Sequence, residues 1–168
     1  SEENLNHKVC FTAAKAKGMV VDDYKMNLKV FKNLLKSTGI QVCEAESGKE
    51  CIQILREQQF DLIFLDHMMP EMDGIETLHV IREEKLCENV PVIMLTANAL
   101  VGDRERYMQE GFDDFLTKPI IPDKLDDMIL KHLPSEYVVY LKEEKMSDVI
   151  KVLPEEYYDA ICKKLPEL

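Results

Sequence analysis

Residues 60–74 read F-D-L-I-F-L-D-H-M-M-P-E-M-D-G. Phe60–Leu65 is the most apolar short run of the chain, the pattern of a strand buried on both faces. It ends on a carboxylate, Asp66. His67–Gly74 carries Pro70 and Gly74 and reads as a loop. Ile75, Leu78 and Ile81 then recur at helical spacing through Glu84. A buried strand handing over to a loop and then a helix is the unit from which parallel sheets are built.

The same unit repeats on either side. Upstream, Lys17–Val21 (KGMVV) is a short apolar run that ends in Asp22-Asp23. The spacing predicts a helix over Tyr24–Thr38, with Met26, Val30, Phe31, Leu34 and Leu35 as its apolar stripe and Gly39 as its stop. Ile40–Glu44 is a second strand. Ser47-Gly-Lys-Glu50 has the form of a capping box, opening a helix that runs through Ile52 and Leu55 to about Gln58. Downstream, Val90–Leu95 is a buried strand ending at Thr96, and Val101–Glu110 is a mostly polar helix stopped by Gly111. Asp114–Thr117 is a short strand leading to Lys118-Pro119. Pro122 suits a first helical position, and Leu125, Met128, Ile129 and Leu133 give the last helix its stripe before Pro134. Strands and helices in strict alternation imply a parallel sheet covered on both faces, with right-handed crossovers that bring all the strand C-termini to one edge.

Bulk composition narrows the function. The 168 residues carry a net charge of -11, the wrong sign for binding a phosphate backbone, so nucleic acid is not expected as a partner. No apolar run reaches the roughly 18 residues of a membrane span, and no export signal is visible. The chain begins at Ser1, which hints at a piece of something longer. Cys10, Cys43, Cys51, Cys87 and Cys162 lack the spacing of a disulfide framework or zinc site and read as buried thiols in a reducing cytoplasm.

The residues that end the strands carry chemistry: Asp22-Asp23, Asp66, Thr96 and Lys118, at separations of 43, 30 and 22 residues counted from Asp23. Ligands of such sheets bind at this edge, where strand order reverses. Taken singly, each residue has a plain structural reading. The acidic pair could cap a helix, Asp66 a loop, Thr96 could be a β-branched strand residue and Lys118 surface charge. Their joint placement at successive strand ends favours a site. Carboxylates gathered there require cations, and a divalent ion with hard oxygen ligands joined by a lysine would meet the need. A carboxylate can act as a nucleophile toward a phosphoryl group, with neutralisation of the phosphoryl oxygens as the main demand on the protein. His67 reads as a loop residue, His79 and His132 as ordinary helix residues, and His7 as part of a lead-in.

The motifs V-V-D-D, F-L-D-H-M-M-P-E-M-D-G, M-L-T-A-N and F-L-T-K-P, spanning about residues 16–134, resemble the receiver domain of bacterial two-component systems. The resemblance implies a flavodoxin-like (βα)5 three-layer sandwich with sheet order 2-1-3-4-5. It implies Asp66 as phosphoacceptor, a Mg²⁺ ion held by Asp22, Asp23, Asp66 and the backbone carbonyl of Met68, and Lys118 against the phosphoryl group. Thr96 would be the switch hydroxyl, Phe115 the switch aromatic, and Lys118-Pro119 a cis peptide bond. The implied partner is a histidine kinase or phosphotransfer domain, with room for a homodimer. The flanks Phe11–Lys17 and Leu133-Pro134 are similar to receivers inside hybrid sensor histidine kinases. That makes the segment cytoplasmic and non-enzymatic in isolation, within a parent that is a hybrid kinase and open to membrane anchoring. Residues 1–15 are then a lead-in and 135–168 a helical extension or linker, with Tyr158, Ile161 and Leu165 as its apolar positions. Two other classes stand beside this one. A degenerate receiver would act as a docking module, and a Mg²⁺-dependent phosphohydrolase would also use an aspartyl phosphate, although such enzymes place an acid where Met68 stands.

Overall fold

The runs read as buried strands form the middle of a sheet. In the computed structural model, which describes residues 10–141, Leu62–Asp66 (β4) and Val92–Thr96 (β5) are buried at every position. In chain order the elements are β1 (Phe11–Thr12), β2 (Lys17–Val21), α1 (Lys25–Leu35), β3 (Gln41–Ala45), α2 (Gly48–Glu57), β4, α3 (Gly74–Glu83), β5, α4 (Asp103–Glu110), β6 (Asp114–Thr117), α5 (Pro122–His132) and β7 (Val139–Tyr140). The sheet runs β3-β2-β4-β5-β6, all parallel. Counted within the sheet this is the expected order 2-1-3-4-5, that of a flavodoxin-like sandwich. The order reverses between β2 and β4, so the crevice at their C-terminal ends is the place for a ligand.

Side chains alternate across the sheet as the two-residue period demands. Met19, Val21, Ile63, Leu65 and Met94 face α2 and α3, where Cys51, Leu55, Leu78 and Ile81 meet them. Val20, Leu62, Phe64, Ile93 and Leu95 face α1 and α5, packing on Phe31, Leu35, Leu125 and Ile129. At about 25 cal/mol per Å² of apolar area removed from water, these two layers are the main source of stability.

Local signals set several element ends. Ser47 caps α2 by accepting from the Glu50 amide, and Glu50 reaches back to the Glu46 amide at 2.9 Å, so the capping box closes one residue further out than its usual form. Pro122 opens α5. The α1 stripe differs from expectation: Leu28, Phe31 and Leu35 are buried, whereas Met26 and Val30 are about half exposed. The helix starts at Lys25 and turns its 28/31/35 row to the sheet, which rotates Met26 and Val30 outward. The thiols also differ. Among the described residues Cys10 is exposed and Cys43 half-buried, while Cys51 and Cys87 are buried. Burial, with Cys87 and Cys43 nearby, pushes the Cys51 thiol up to about 12, which makes it an inert packing group.

The flanks meet each other. β1 and β7 pair antiparallel, Phe11 opposite Tyr140, and the Leu141 amide donates to the Cys10 carbonyl at 2.9 Å. Phe11 and Ala13 pack in the same layer as Leu133. The expectations for His7, Cys162 and the 142–168 tail lie outside the described residues. Among the described residues no helix is long and apolar enough to cross a membrane.

His132 does more than its expectation as an ordinary helix residue. Its Nε2 lies 2.9 Å from Asp114 Oδ2, and Lys131 Nζ donates to the same oxygen at 2.8 Å. This joins the end of α5 to the start of β6. Burial opposes the Asp114 charge, but these two partners and the Phe115 amide outweigh it and hold the carboxyl below its ordinary range. A depressed carboxyl adds stability that is present above its unfolded pKa and lost as pH falls through the folded one. Asp114→Asn is therefore expected to destabilise the fold by about 1–3 kcal/mol near neutrality. Its thermal midpoint should also fall less than wild type's between about pH 5 and about pH 3, as followed by circular dichroism.

Candidate functional site

The C-terminal ends of four strands, β2, β4, β5 and β6, deliver the site. Asp22 directly follows β2 and is anchored by its amide to the Ala45 carbonyl at 3.1 Å. Its carboxylate accepts from the Tyr24 amide at 2.9 Å and from Asn27 Nδ2 at 3.1 Å. Asp66 closes β4. Asp22 and Asp66 are buried, whereas Asp23 faces solvent. Carboxylate oxygens of Asp22, Asp23 and Asp66 all lie within 4.8 Å of one another. At that spacing and an effective dielectric near 20, each charged pair repels by roughly 3 kcal/mol.

Lys118 supplies the local counter-charge. Its Nζ donates to Asp22 Oδ2 at 2.9 Å and to Asp66 Oδ1 at 2.7 Å. The Lys118 amide donates to the Thr96 carbonyl at 2.8 Å, and the Lys118-Pro119 bond is cis, as expected. Burial works against the ammonium, but its two carboxylate bonds outweigh that and raise it above its ordinary range. Asp66 moves up as well. Burial is the largest cause, Asp22 and Asp23 add to it, and the Lys118 bond offsets only part. Three carboxylates against one ammonium leave two negative charges unmatched. The donor set is all hard oxygen and partly open to water on the Asp23 side, which fits a small divalent cation of the Mg²⁺ kind.

The loop after Asp66 is set by a close approach. The Gly74 amide donates to the His67 carbonyl at 2.8 Å, and Asp73 caps α3 by accepting from the Glu76 amide. A Cβ on Gly74 would lie 2.3 Å from the Asp66 carbonyl oxygen and 3.1 Å from His67 Cα. Only glycine lets the start of α3 pass this close to the backbone of Asp66. Met68 stands two residues beyond Asp66 with its side chain 72% exposed, so its side chain takes no part in the core.

Thr96 is buried at the end of β5, opposite Thr117 in register. Its hydroxyl donates to the Asn98 carbonyl at 3.0 Å and lies 3.4 Å from the Tyr107 hydroxyl. Phe115, on β6, has its ring centroid 6.0 Å from that of Tyr107. Asp22, Asp23, Asp66 and Lys118 are thus in one cluster, with Thr96 and Phe115 beside it around Tyr107. Sequence reasoning missed three contributors. Asn27 was visible only as a polar side chain five residues past Asp22, Tyr107 as the one aromatic of a polar helix, and Gly74 as a loop glycine.

Comparison with known proteins gives the same site a context. The family model described as "Response regulator receiver domain" matches residues 19–130. The polar-differentiation response regulator DivK of Brucella ovis is 33% identical over 115 residues, covering 68% of this chain and 94% of DivK. Hybrid signal transduction histidine kinase I of Dictyostelium discoideum is 33% identical over 141 residues, 80% of this chain but 8% of that protein. Among solved structures, the receiver domain of Francisella response regulator 1452 superposes with a TM-score of 0.64 at 33% identity, over 69% of this chain and 94% of that one. The receiver domain of the sensor histidine kinase PA1611 of Pseudomonas aeruginosa PAO1, which carries a magnesium ion in its active site cleft, gives 0.64 at 32% identity, over 70% of this chain and 96% of that one.

Two outcomes follow from the geometry. Gly74→Ala should destabilise the fold by about 1–3 kcal/mol, because a backbone shift is unavoidable; chemical denaturation measures it, and an unchanged midpoint would contradict the contact. Asp66→Asn should instead raise the thermal midpoint in the presence of a chelator, since it removes one of three crowded carboxylates.

Proposed function

The chain belongs to the response regulator receiver domain family, and from that premise we propose that Asp66 accepts the phosphoryl group of a two-component phosphorelay. The observation that carries the assignment is the Lys118 ammonium held between Asp66 and Asp22 inside the three-carboxylate cluster. In the proposed transfer, an Asp66 carboxylate oxygen forms a bond to phosphorus as the bond from phosphorus to the donor's imidazole nitrogen breaks. Lys118 then follows the charge from the carboxylate onto a phosphoryl oxygen. Asp22, Asp23, Asp66 and the Met68 carbonyl would hold Mg²⁺, which when bound supplies neutralisation of the phosphoryl oxygens. The donor class is a histidine kinase or phosphotransfer domain.

The output is a change of surface. Thr96 turns its hydroxyl toward the phosphoryl group, and Phe115 follows into the space released. Inverting a 1:99 equilibrium needs about 5.5 kcal/mol, and hydrogen bonds to charged groups are worth about 1.5–3 kcal/mol each. Two or three new bonds from Thr96, Lys118 and loop amides suffice. The unit we assign to this switch is 16–134, with 1–15 and 135–168 as flanks. The Dictyostelium relative, a hybrid histidine kinase by name, supports a hybrid kinase as parent; our reading adds a cytoplasmic setting and a domain that promotes only its own phosphorylation. A homodimer fits the same scheme. The intact carboxylate–lysine set argues against a plain docking module. Met68, standing where a hydrolase carries its second acid, argues against turnover of phosphate esters.

Incubation with acetyl phosphate and Mg²⁺ should add one base-labile phosphoryl group by intact mass, and Asp66→Asn should add none; equal gain in both would place the acceptor elsewhere. Thr96→Ala should still gain the group yet lose the spectral change that accompanies it. Mg²⁺ at about 100 times its dissociation constant should stabilise the wild type by about 2.7 kcal/mol, an effect expected to shrink sharply in Asp23→Asn.

A further inference from the structure

α4 is the most polar helix of the fold, yet one of its side chains lies deep in the core. Tyr107 is 2% exposed and occupies the centre of an aromatic group. Its ring stands edge-on to His67 at 5.6 Å and to Phe112 at 6.4 Å, and tilted against Phe115 at 6.0 Å. It therefore touches the residue that follows Asp66 and the aromatic of β6 at once. Among the described residues, its hydroxyl has one hydrogen-bond partner, Thr96 Oγ1 at 3.4 Å. Thr96 already donates its own proton to the Asn98 carbonyl, so the Tyr107 hydroxyl is the donor in this pair. No buried side-chain polar atom of the described residues lacks a partner.

We propose that Tyr107 is the positioning residue that ties Thr96 to α4, its hydroxyl holding the Thr96 side chain away from Asp66 until phosphorylation draws it across. This deepens the reading of Asp66 as phosphoacceptor and rests on it. The physical reason is the single partner. When Thr96 leaves, a hydroxyl that is buried on all sides loses its only acceptor, and an unsatisfied buried donor is unfavourable. Tyr107 must then move, and α4 moves with it. The ring contacts carry the same displacement to Phe115, while Met108 and Val101, both exposed, change their surroundings at the surface. A bond 3.4 Å long is weak by geometry, which suits a contact made to be broken.

The test uses the full chain with methyl groups of Thr96, Val101 and Met108 as NMR reporters, before and after acetyl phosphate with Mg²⁺, and intact mass in parallel. Tyr107→Phe keeps the ring and removes the oxygen. The variant is expected to gain one phosphoryl group, as wild type does. Its Thr96 methyl should already sit part-way toward the phosphorylated position without acetyl phosphate. Its Val101 and Met108 responses should drop by at least about threefold, the scale of one ordinary hydrogen bond. Thr96→Val breaks the same contact from the other side, so adding Tyr107→Phe to it should change nothing further, the mark of a coupled pair. Full Val101 and Met108 responses in Tyr107→Phe, or additive effects in the double variant, would overturn the proposal. Failure of wild type to gain mass would instead overturn the phosphoacceptor reading beneath it.

Discussion

A single ammonium between two buried carboxylates is the constraint on which the site depends. Asp22 and Asp66 come from neighbouring strands of a parallel sheet, and the geometry that makes such a sheet also drives their charges together. Lys118, delivered from β6, reaches both. Burial, with the repulsion from Asp22 and Asp23 added to it, outweighs the Lys118 bond and holds the Asp66 carboxyl above its ordinary range. The site is built to be short of positive charge. That shortage of positive charge suits the hard-oxygen cluster to a small divalent cation.

The rest of the fold keeps this unfavourable cluster in place and connects it outward. Two apolar layers, one on each face of the sheet, fix the strand ends to which the charges are attached. The Asp114–Lys131–His132 group pins the far end of β6 to α5, so β6 is held at both ends while its middle carries Phe115. On the other side, the close passage of Gly74 over the Asp66 backbone locks the loop that follows Asp66. Between Thr96 and α4 the contacts are instead a long hydroxyl pair and a cluster of rings, and the proposed switch is placed there. Rings can slide against one another at small cost, whereas a strand in mid-sheet cannot.

Much of this was legible in the residues because the signals are local. Strand burial, the Ser47 cap, Pro122 at the start of α5 and the charged residues at strand ends depend on neighbours a few positions away. The α1 stripe was not legible: Met26, Val30 and Leu34 follow one another at four-residue spacing as a core row would, and only the angle at which the helix meets the sheet decides that Leu28, Phe31 and Leu35 go inward instead. The role of His132 was hidden for the same reason, since its partner Asp114 lies 18 residues away.

The sequence by itself determined the architecture, the edge of the sheet that bears the site and the identity of the four residues gathered there. Alternation and strand burial imply a parallel sheet covered on both faces, and the strand order within it was implied by the receiver resemblance. The tertiary structure alone decided which side chains touch across elements: Asn27 on Asp22, Gly74 against Asp66, Tyr107 on Thr96. Those contacts depend on helix rotation and depth of packing, quantities set by the fit of two surfaces and carried by no short stretch of sequence.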